Sequence, residues 1–178
     1  VAYIRVQSAL DGLLAELDLL RVELAGAVAH VQLHRPGKRN AISDKMLKQL
    51  QTAFINLPAG VRAAVLSGAG KHFCAGLDLS SLSESTVAEG VLHSRMWQGV
   101  MDTLQFGRFP IVSALHGAVV GGGLEIASST HIRVAETSTY YGLPEGQRGI
   151  FVGGGGSARV PRLVGVAYAA NTLGAIIG

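Results

Sequence analysis

HGAVVGGGLEIA, residues 116–127, joins a predicted strand to a predicted helix through three consecutive glycines. The apolar run from Ile111 predicts the strand, and LEIASS predicts the helix that follows at once. The first turn of a helix carries amides without intrahelical partners and a partial positive charge, and glycine lets a ligand come close to the backbone. The stretch therefore predicts either an anion or oxyanion site or tight packing of strand on helix.

Strands and helices alternate on both sides of this stretch, which predicts an α/β fold with helices packed on sheets. Strands are expected in VELAGAVAHVQLHR (with a turn at Ala25-Gly26), AAVLSG, HIRVAE and TYYGLPE. Helices are expected over residues 8–20 with Ser8 as cap, after Ser43, over about 84–106, after GGGG and in the C-terminal VAYAANTLGAII. The apolar residues of the 84–106 helix that should face the core are Val87, Val91, Trp97, Val100, Met101 and Leu104.

Composition excludes several classes of protein. Of the 178 residues, 48% are hydrophobic and 15% charged, which predicts a packed domain rather than a disordered chain. A net charge of +3 is too small to predict nucleic-acid binding, and no apolar run is long enough to predict a membrane span. The single cysteine, Cys74, allows no internal disulfide, so we expect a reducing compartment, the cytoplasm or a mitochondrial matrix. Because the chain starts at Val1, a cleaved targeting segment stays open.

Two further segments suggest a ligand site but have simpler interpretations. Gly153, Gly155 and Ala158 fit the G-x-G-x-x-A dinucleotide pattern, but no acidic residue follows Glu145 to bind a ribose, so no nucleotide cofactor is predicted. In HFCAGLDL, a turn at Ala75-Gly76 either points the next amide into a cleft or forms an ordinary loop. Cys74 in this segment is interpreted as a small buried side chain, since no base stands at a recognisable spacing.

Glu125 and Glu145 are embedded in apolar sequence, LEIA and YGLPEG. A carboxyl group in such surroundings can have a raised pKa and serve as an acid or a base. The alternatives are a carboxylate that stabilises the start of a helix and an ordinary turn residue.

These motifs occur in one order along the chain: LHRPGKRNAIS, AGLDL, HGAVVGGGLEIA and YGLPEGQRGIFVGGGGSARVPRLVG. The combination resembles the crotonase family, also called the enoyl-CoA hydratase/isomerase superfamily, from about Val22 to the end. The resemblance implies a spiral of repeated β-β-α turns over residues 21–178. The helical extension that the sequence predicts over residues 1–20 is not a usual feature of the family. It also implies further C-terminal helices that build a homotrimer or a dimer of trimers, and we expect these to be missing or incomplete in this chain.

The resemblance also assigns roles to individual residues. It implies that the Leu77 and Gly122 amides form an oxyanion hole, that Glu125 and Glu145 are the catalytic glutamates, and that an acyl-CoA thioester is the substrate. The residues expected to contact coenzyme A are Lys38, Arg39, Ala41 and Ala75. No metal and no separate cofactor are implied, since coenzyme A belongs to the substrate.

Retention of both glutamates favours an enoyl-CoA hydratase, which adds water across the 2,3-double bond. Dienoyl-CoA isomerases and hydroxyacyl-CoA hydrolases of the family tend to carry an aspartate where Gly153 stands here. His131 replaces a frequent aspartate, and we expect it to have a structural role. A double-bond isomerase, another crotonase-type activity and a CoA-thioester-binding module without catalysis stay open as alternatives.

Overall fold

The computed structural model describes residues 12, 16–81, 86–172 and 176–177. The strands are β1 (Leu20–Ala25), β2 (Val28–Leu33), β3 (Ala63–Gly68), β4 (Ile111–Leu115), β5 (Ala118–Val120), β6 (Ile132–Ala135), β7 (Tyr140–Gly142) and β8 (Ile176–Ile177). The α-helices are α1 (Asp44–Asn56), α2 (Val87–Gln105), α3 (Gly122–Ser129), α4 (Gly156–Val164) and α5 (Val166–Thr172). Short 3-10 helices cover Pro36–Lys38, Leu79–Ser81 and Pro144–Arg148.

Two sheets organise the chain. The larger has the order β1-β2-β3-β4-β6, antiparallel between β1 and β2 and parallel from there on, and the smaller has the order β5-β7-β8. The chain repeatedly adds a strand to the larger sheet, then a strand to the smaller one, then a helix: β4, β5, α3 are followed by β6, β7, α4. This is the predicted spiral of β-β-α turns.

The core lies between the larger sheet and helices α1 to α3. Ser43 caps α1, as predicted, by accepting a hydrogen bond from the Met46 amide at 3.3 Å. Apolar residues at helical spacing form one face of α1, and this face packs against the core. The largest fully buried side chains are Leu33, Ile42, Met46, Leu47, Leu50, Leu66, Phe73, Met101, Leu104, Ile111, Ile126 and Leu143. Within the described ranges, no helix is both long and apolar enough to span a bilayer.

The run IVSALHGAVV, predicted as one strand, is two strands in different sheets. The break falls at His116-Gly117, where Gly117 has a φ of +54°. The left-handed backbone at this glycine turns the chain from the larger sheet to the smaller. Hydropathy continues across the break because both strands are largely buried, so the apolar pattern alone could not reveal it.

Other predicted elements need smaller corrections. Residues 8–11 and 13–15 of the predicted N-terminal helix lie outside the described residues, and residues 16–19 form turns before β1. Within TYYGLPE, Pro144 and Glu145 belong to a 3-10 helix, since Pro144 fixes a helical φ at its start. Val87 and Val91, predicted to face the core, are 87% and 47% exposed, because the first turns of α2 extend beyond the core.

Candidate active site

A cavity of about 480 Å³ opens between α2, the start of α3 and the segment that follows β7. Both predicted glutamates reach it, together with Leu77 and Gly122. The remaining lining residues are Val87, Gly90, Val91, His93, Ser94, Trp97, Ile150, Phe151, Gly153 and Gly154. The wall is therefore mostly apolar, with a small number of polar groups that converge from separate segments, as in many ligand sites.

Glu125 enters this cavity from the first turn of α3 and is 4% exposed. Its Oε1 accepts a hydrogen bond from the Gly156 amide at 2.8 Å. Burial raises the pKa of Glu125 to about 7; the Gly156 and Gly154 amides oppose the rise, and the nearby Glu145 carboxylate adds to it. A carboxyl group with this pKa can take or give a proton near neutral pH.

Glu145 reaches the same cavity from the 3-10 helix that follows β7, and it is 8% exposed. Burial raises its pKa as well. Its Oε2 is buried and makes no hydrogen bond to any residue that the structure describes. A Cβ atom on Gly121 would lie 2.8 Å from Glu145 Oε1, so the glycine at this position is what leaves room for the carboxylate.

The Leu77 and Gly122 amides lie beside these carboxylates. Gly76, with a φ of +98°, turns the chain so closely onto the start of α3 that a Cβ atom there would lie 3.6 Å from the Gly122 nitrogen. The backbone of Ile42 is hydrogen-bonded to the residues on either side of Leu77: its amide donates to the Gly76 carbonyl, and its carbonyl accepts from the Asp78 amide. The Leu77 amide therefore points away from Ile42. Among the described residues, neither amide has a hydrogen-bond acceptor.

The indole of Trp97 covers Gly122. A Cβ atom on Gly122 would lie 2.8 Å from the Trp97 ring, so glycine is required for this approach. Tight packing and an available amide, which the sequence offered as alternatives, therefore occur together at this position.

The loop that carries Leu77 is held by two polar anchors that sequence reasoning missed. Arg35 Nη1 lies 2.6 Å from Asp78 Oδ2. Hydrogen bonds from the Ser80 side chain, which has the larger effect, and from Arg35 lower the pKa of Asp78 to about 2. Asn40 is fully buried, and its Nδ2 donates to the carbonyl oxygens of Ala69, His72 and Phe73. Arg35 and Asn40 lie in the motif LHRPGKRNAIS. Their hydrogen-bond partners, however, are about 30 to 40 residues away in the chain, so the motif alone does not reveal the contacts.

A second cavity of about 300 Å³ shares Leu77, Glu145 and Ile150 with the first. Of the four residues predicted to contact coenzyme A, Arg39 and Ala75 line this cavity, and Lys38 and Ala41 do not. Lys38 is exposed one residue away, and the Ala41 carbonyl accepts from Arg35 Nη1 at 3.0 Å. Arg148, which the sequence did not single out, contributes a second cation to the lining.

Three smaller expectations concern residues around the site. Cys74 is fully buried, and burial raises its thiol pKa to about 12, so it carries no thiolate for nucleophilic attack. His131 Nδ1 accepts from the Ile111 amide at 3.1 Å, which is a structural role. At Gly153 the backbone carbonyl accepts from Ser94 Oγ at 2.8 Å and from Gln98 Nε2 at 3.1 Å.

Comparison with known proteins agrees with this fold. The enoyl-CoA hydratase/isomerase family model matches residues 23–175. The short-chain-enoyl-CoA hydratase of Clostridium acetobutylicum is 37% identical over 157 residues, which cover 86% of this chain and 60% of that protein. A Rhodopseudomonas palustris crystal structure described as an enoyl-CoA hydratase superposes with a TM-score of 0.87 at 51% identity, covering 89% of this chain and 62% of that one. A Thermobifida fusca structure in complex with CoA has a TM-score of 0.80 at 25% identity, covering 93% and 68%.

The fold thus defines a crotonase-like α/β protein. The chain belongs to the enoyl-CoA hydratase/isomerase family. It spans about 60% of the length of the curated relative and of the Rhodopseudomonas structure.

Proposed function

We propose that the whole protein is an enoyl-CoA hydratase, which adds water across the 2,3-double bond of an enoyl-CoA thioester. The observation that carries this proposal is the meeting of two buried glutamates at one cavity, beside two amides without acceptors among the described residues. Water addition needs one group to take a proton and another to give one, and the site supplies both.

In the proposed reaction, the thioester oxygen accepts hydrogen bonds from the Leu77 and Gly122 amides. Glu125 takes a proton from water as the water oxygen bonds to C3, and the π electrons of the double bond move toward the carbonyl. The enolate charge that develops is stabilised by the two amides, each by about 3 kcal/mol in the transition state. Glu145 then gives its proton to C2, and exchange with solvent restores the starting protonation of both carboxyl groups.

The starting protonation states that this mechanism needs are compatible with the two environments. Burial raises the pKa of both carboxyl groups. The Gly156 and Gly154 amides favour the ionised form of Glu125, whereas at Glu145 only its own backbone amide does so and the buried Oε2 has no donor among the described residues. The pair also interacts electrostatically, which disfavours two charges at once. One ionised base and one protonated acid is the arrangement that costs least.

The second cavity supports the coenzyme A part of the proposal. It adjoins the first at Leu77 and Glu145, and its two arginines suit the phosphates of an anionic ligand. The Thermobifida structure, which holds CoA, shares the fold. A homotrimer or dimer of trimers belongs to the same proposal and rests on the family resemblance. A location in the cytoplasm or a mitochondrial matrix is also part of it and rests on the single cysteine.

The experiment that tests the function measures crotonyl-CoA hydration and 3-enoyl-CoA isomerisation side by side in the full-length protein. Glu125→Gln and Glu145→Gln should each lower kcat for hydration by about 10² to 10⁴-fold with little change in KM, because the amide keeps the size but transfers no proton. An isomerase that shuttles one proton needs only one of the two, so Glu125→Gln would then be mild. Near wild-type hydration by Glu125→Gln would contradict the two-glutamate mechanism.

A further inference from the structure

The glycine loop over residues 153–156 lies directly against the Glu125 carboxylate. The Gly156 amide donates to Glu125 Oε1 at 2.8 Å, and the Gly154 amide also favours the ionised carboxylate. A Cβ atom on Gly154 would lie 3.0 Å from Glu125 Oε2, and one on Gly156 would lie 2.9 Å from Glu125 Cγ. The loop backbone can therefore approach the carboxylate only because these positions carry no side chain.

Each amide of this loop is oriented through the carbonyl group of its own peptide unit. The unit is planar, so fixing the carbonyl also fixes the direction of the N–H group that follows it. The Gly153 carbonyl shares a unit with the Gly154 amide, and it accepts from Ser94 Oγ at 2.8 Å and from Gln98 Nε2 at 3.1 Å. Two side chains of α2 therefore hold the Gly154 amide in its direction.

Arg159 holds the other end of the loop. Its Nη1 donates to the Gly154 carbonyl at 3.0 Å, and its backbone amide donates to the Gly155 carbonyl at 3.1 Å. The Gly155 carbonyl shares a peptide unit with the Gly156 amide, the donor to Glu125 Oε1. A Cβ atom on Gly155, which has a φ of +96°, would overlap the Arg159 guanidinium, so glycine is required at this contact.

The Arg159 guanidinium is itself fixed by α2. Its Nε donates to Gln105 Oε1 at 2.7 Å, and its Nη2 lies 2.6 Å from Asp102 Oδ1. With Nη1 on the Gly154 carbonyl, each of the three guanidinium nitrogens has a partner, and the side chain is only 11% exposed. A planar cation held at three points is a rigid link between α2 and the loop.

Arg159 also acts on Glu125 through its charge. Among the described residues, the Glu145 carboxylate disfavours the ionised form of Glu125, and the Arg159 guanidinium favours it. Asp102 compensates part of the Arg159 charge from the exposed surface of α2, and His93 of the same helix lines the cavity. The contact with the loop and the charge therefore favour the same state of Glu125, a carboxylate that can accept a proton.

We propose that Arg159 is a positioning residue for the reaction, which holds the loop over residues 153–156 so that its amides keep Glu125 ready to take a proton from water. Arg159 does not line the main cavity, so it acts through Glu125 rather than on the substrate. The inference rests on the proposed function insofar as Glu125 is the base.

The test compares the pH dependence of crotonyl-CoA hydration in variants of the full-length protein. Glu125 must be ionised to take a proton, so kcat rises with pH on the acidic side of the profile. In Arg159→Gln this limb should move to higher pH by about one pH unit, the lower end of what a neighbouring charge does. At pH 6 kcat should therefore fall about tenfold, and the deficit should nearly vanish at pH 9, with little change in KM.

Three further variants separate positioning from a merely structural contact. Arg159→Lys, which keeps the positive charge, should recover part of the activity at pH 6. Ser94→Ala releases the Gly153 carbonyl without removing a charge, so it should move the limb in the same direction by less. Arg162→Gln is the matched control and should keep the wild-type profile, since Arg162 is exposed on the same helix and its Nη1 donates to the Ala158 carbonyl.

An unmoved acidic limb in Arg159→Gln, with or without a loss of rate at every pH, would overturn the inference. Should that variant fail to fold, Arg159→Lys and Ser94→Ala decide the question. An unmoved limb in both would then overturn it.

Nuclear magnetic resonance of the protein labelled with ¹³C at its glutamate carboxyl groups separates this inference from the proposed function, because it follows the ionisation of Glu125 without turnover. The Glu125 signal is identified by its loss in Glu125→Gln, and its titration midpoint should rise in Arg159→Gln. Hydration by the wild type together with an unmoved midpoint would overturn this inference alone. A raised midpoint in a protein that does not hydrate crotonyl-CoA would overturn the proposed function and leave the effect of Arg159 on Glu125 standing.

Discussion

Glu125 is a residue whose folded environment works against its charge. The Gly156 amide donates to the carboxylate, but burial has the larger effect and the pKa rises from 4.5 to about 7. Between these two pH values the folded protein binds more protons at Glu125 than the unfolded chain does. The free energy of unfolding therefore falls as pH rises through this window and reaches its full loss above pH 7.

This sign leads to a prediction about stability. Glu125→Gln removes the buried charge while keeping an oxygen that can accept from Gly156, so at pH 8 the variant should be more stable than the wild type, by up to roughly 3 kcal/mol. At pH 4.5 the difference should nearly vanish. Urea unfolding at both pH values checks this, with Glu136→Gln, an exposed glutamate, as the control. A Glu125→Gln variant that loses stability at pH 8 would show that the amide hydrogen bonds outweigh burial.

At the scale of elements, the sequence predicted those whose signals are local. Capping by Ser43 and the apolar stripe of α1 depend on residues three and four apart, and both are present in the structure. The division of IVSALHGAVV between two sheets depends instead on which neighbour each half finds. β4 pairs with β3 and β6, and β5 pairs with β7, contacts between segments far apart in sequence. Propensity and periodicity contain no information about such partners.

The loop between β3 and Leu77 depends on the Asn40 side chain, which leads to a prediction about stability. Asn40→Ala should destabilise the protein by about 3 kcal/mol, because three carbonyl groups that Asn40 Nδ2 now contacts lose a donor, two of those contacts being fully buried. The φ of +55° at this position adds to the cost for alanine.

Asn56→Ala is the matched control for that change. Asn56 is exposed, and its Nδ2 donates only to a carbonyl of its own helix, that of Thr52, at 2.8 Å. Thermal unfolding of the two variants should separate them clearly. Similar melting temperatures would mean that water replaces the Asn40 amide without loss, and the loop would not depend on it.

At the scale of the whole molecule, the candidate site joins four segments that are separated in the chain: the loop after β3, α2, the start of α3 and the segment after β7. The motif resemblance named Leu77, Gly122, Glu125 and Glu145, and all four line one cavity. It did not name His93 or Trp97 as a wall of the site, because these positions carry no motif, nor Arg148, which lies within a quoted motif but was given no role. Only the packing of α2 reveals that His93 and Trp97 line the cavity of both glutamates, and only the 3-10 helix places Arg148 in the second cavity, beside Glu145.

Lys38 and Arg39 were both predicted to contact coenzyme A. Both side chains are exposed, but the packing places only Arg39 in the wall of the second cavity. This difference leads to a prediction about CoA binding. Arg39→Gln should weaken CoA binding roughly fivefold at low salt, as expected for the loss of one partly exposed contact with a phosphate. Lys38→Gln should have a smaller effect. The weakening should shrink at high salt, because ions screen charges at the protein surface. Titration calorimetry with CoA at two salt concentrations measures both effects.

Arg62→Gln is the control for this measurement, since Arg62 is exposed at the opposite end of β3 from the loop that forms the cavity. The strand of six residues places it about 20 Å from that loop, beyond the screening length at physiological salt. CoA affinity should therefore be unchanged in Arg62→Gln. Equal weakening by all three substitutions would mean that CoA responds only to the net charge of +3, and Arg39 would then have no particular place in the site.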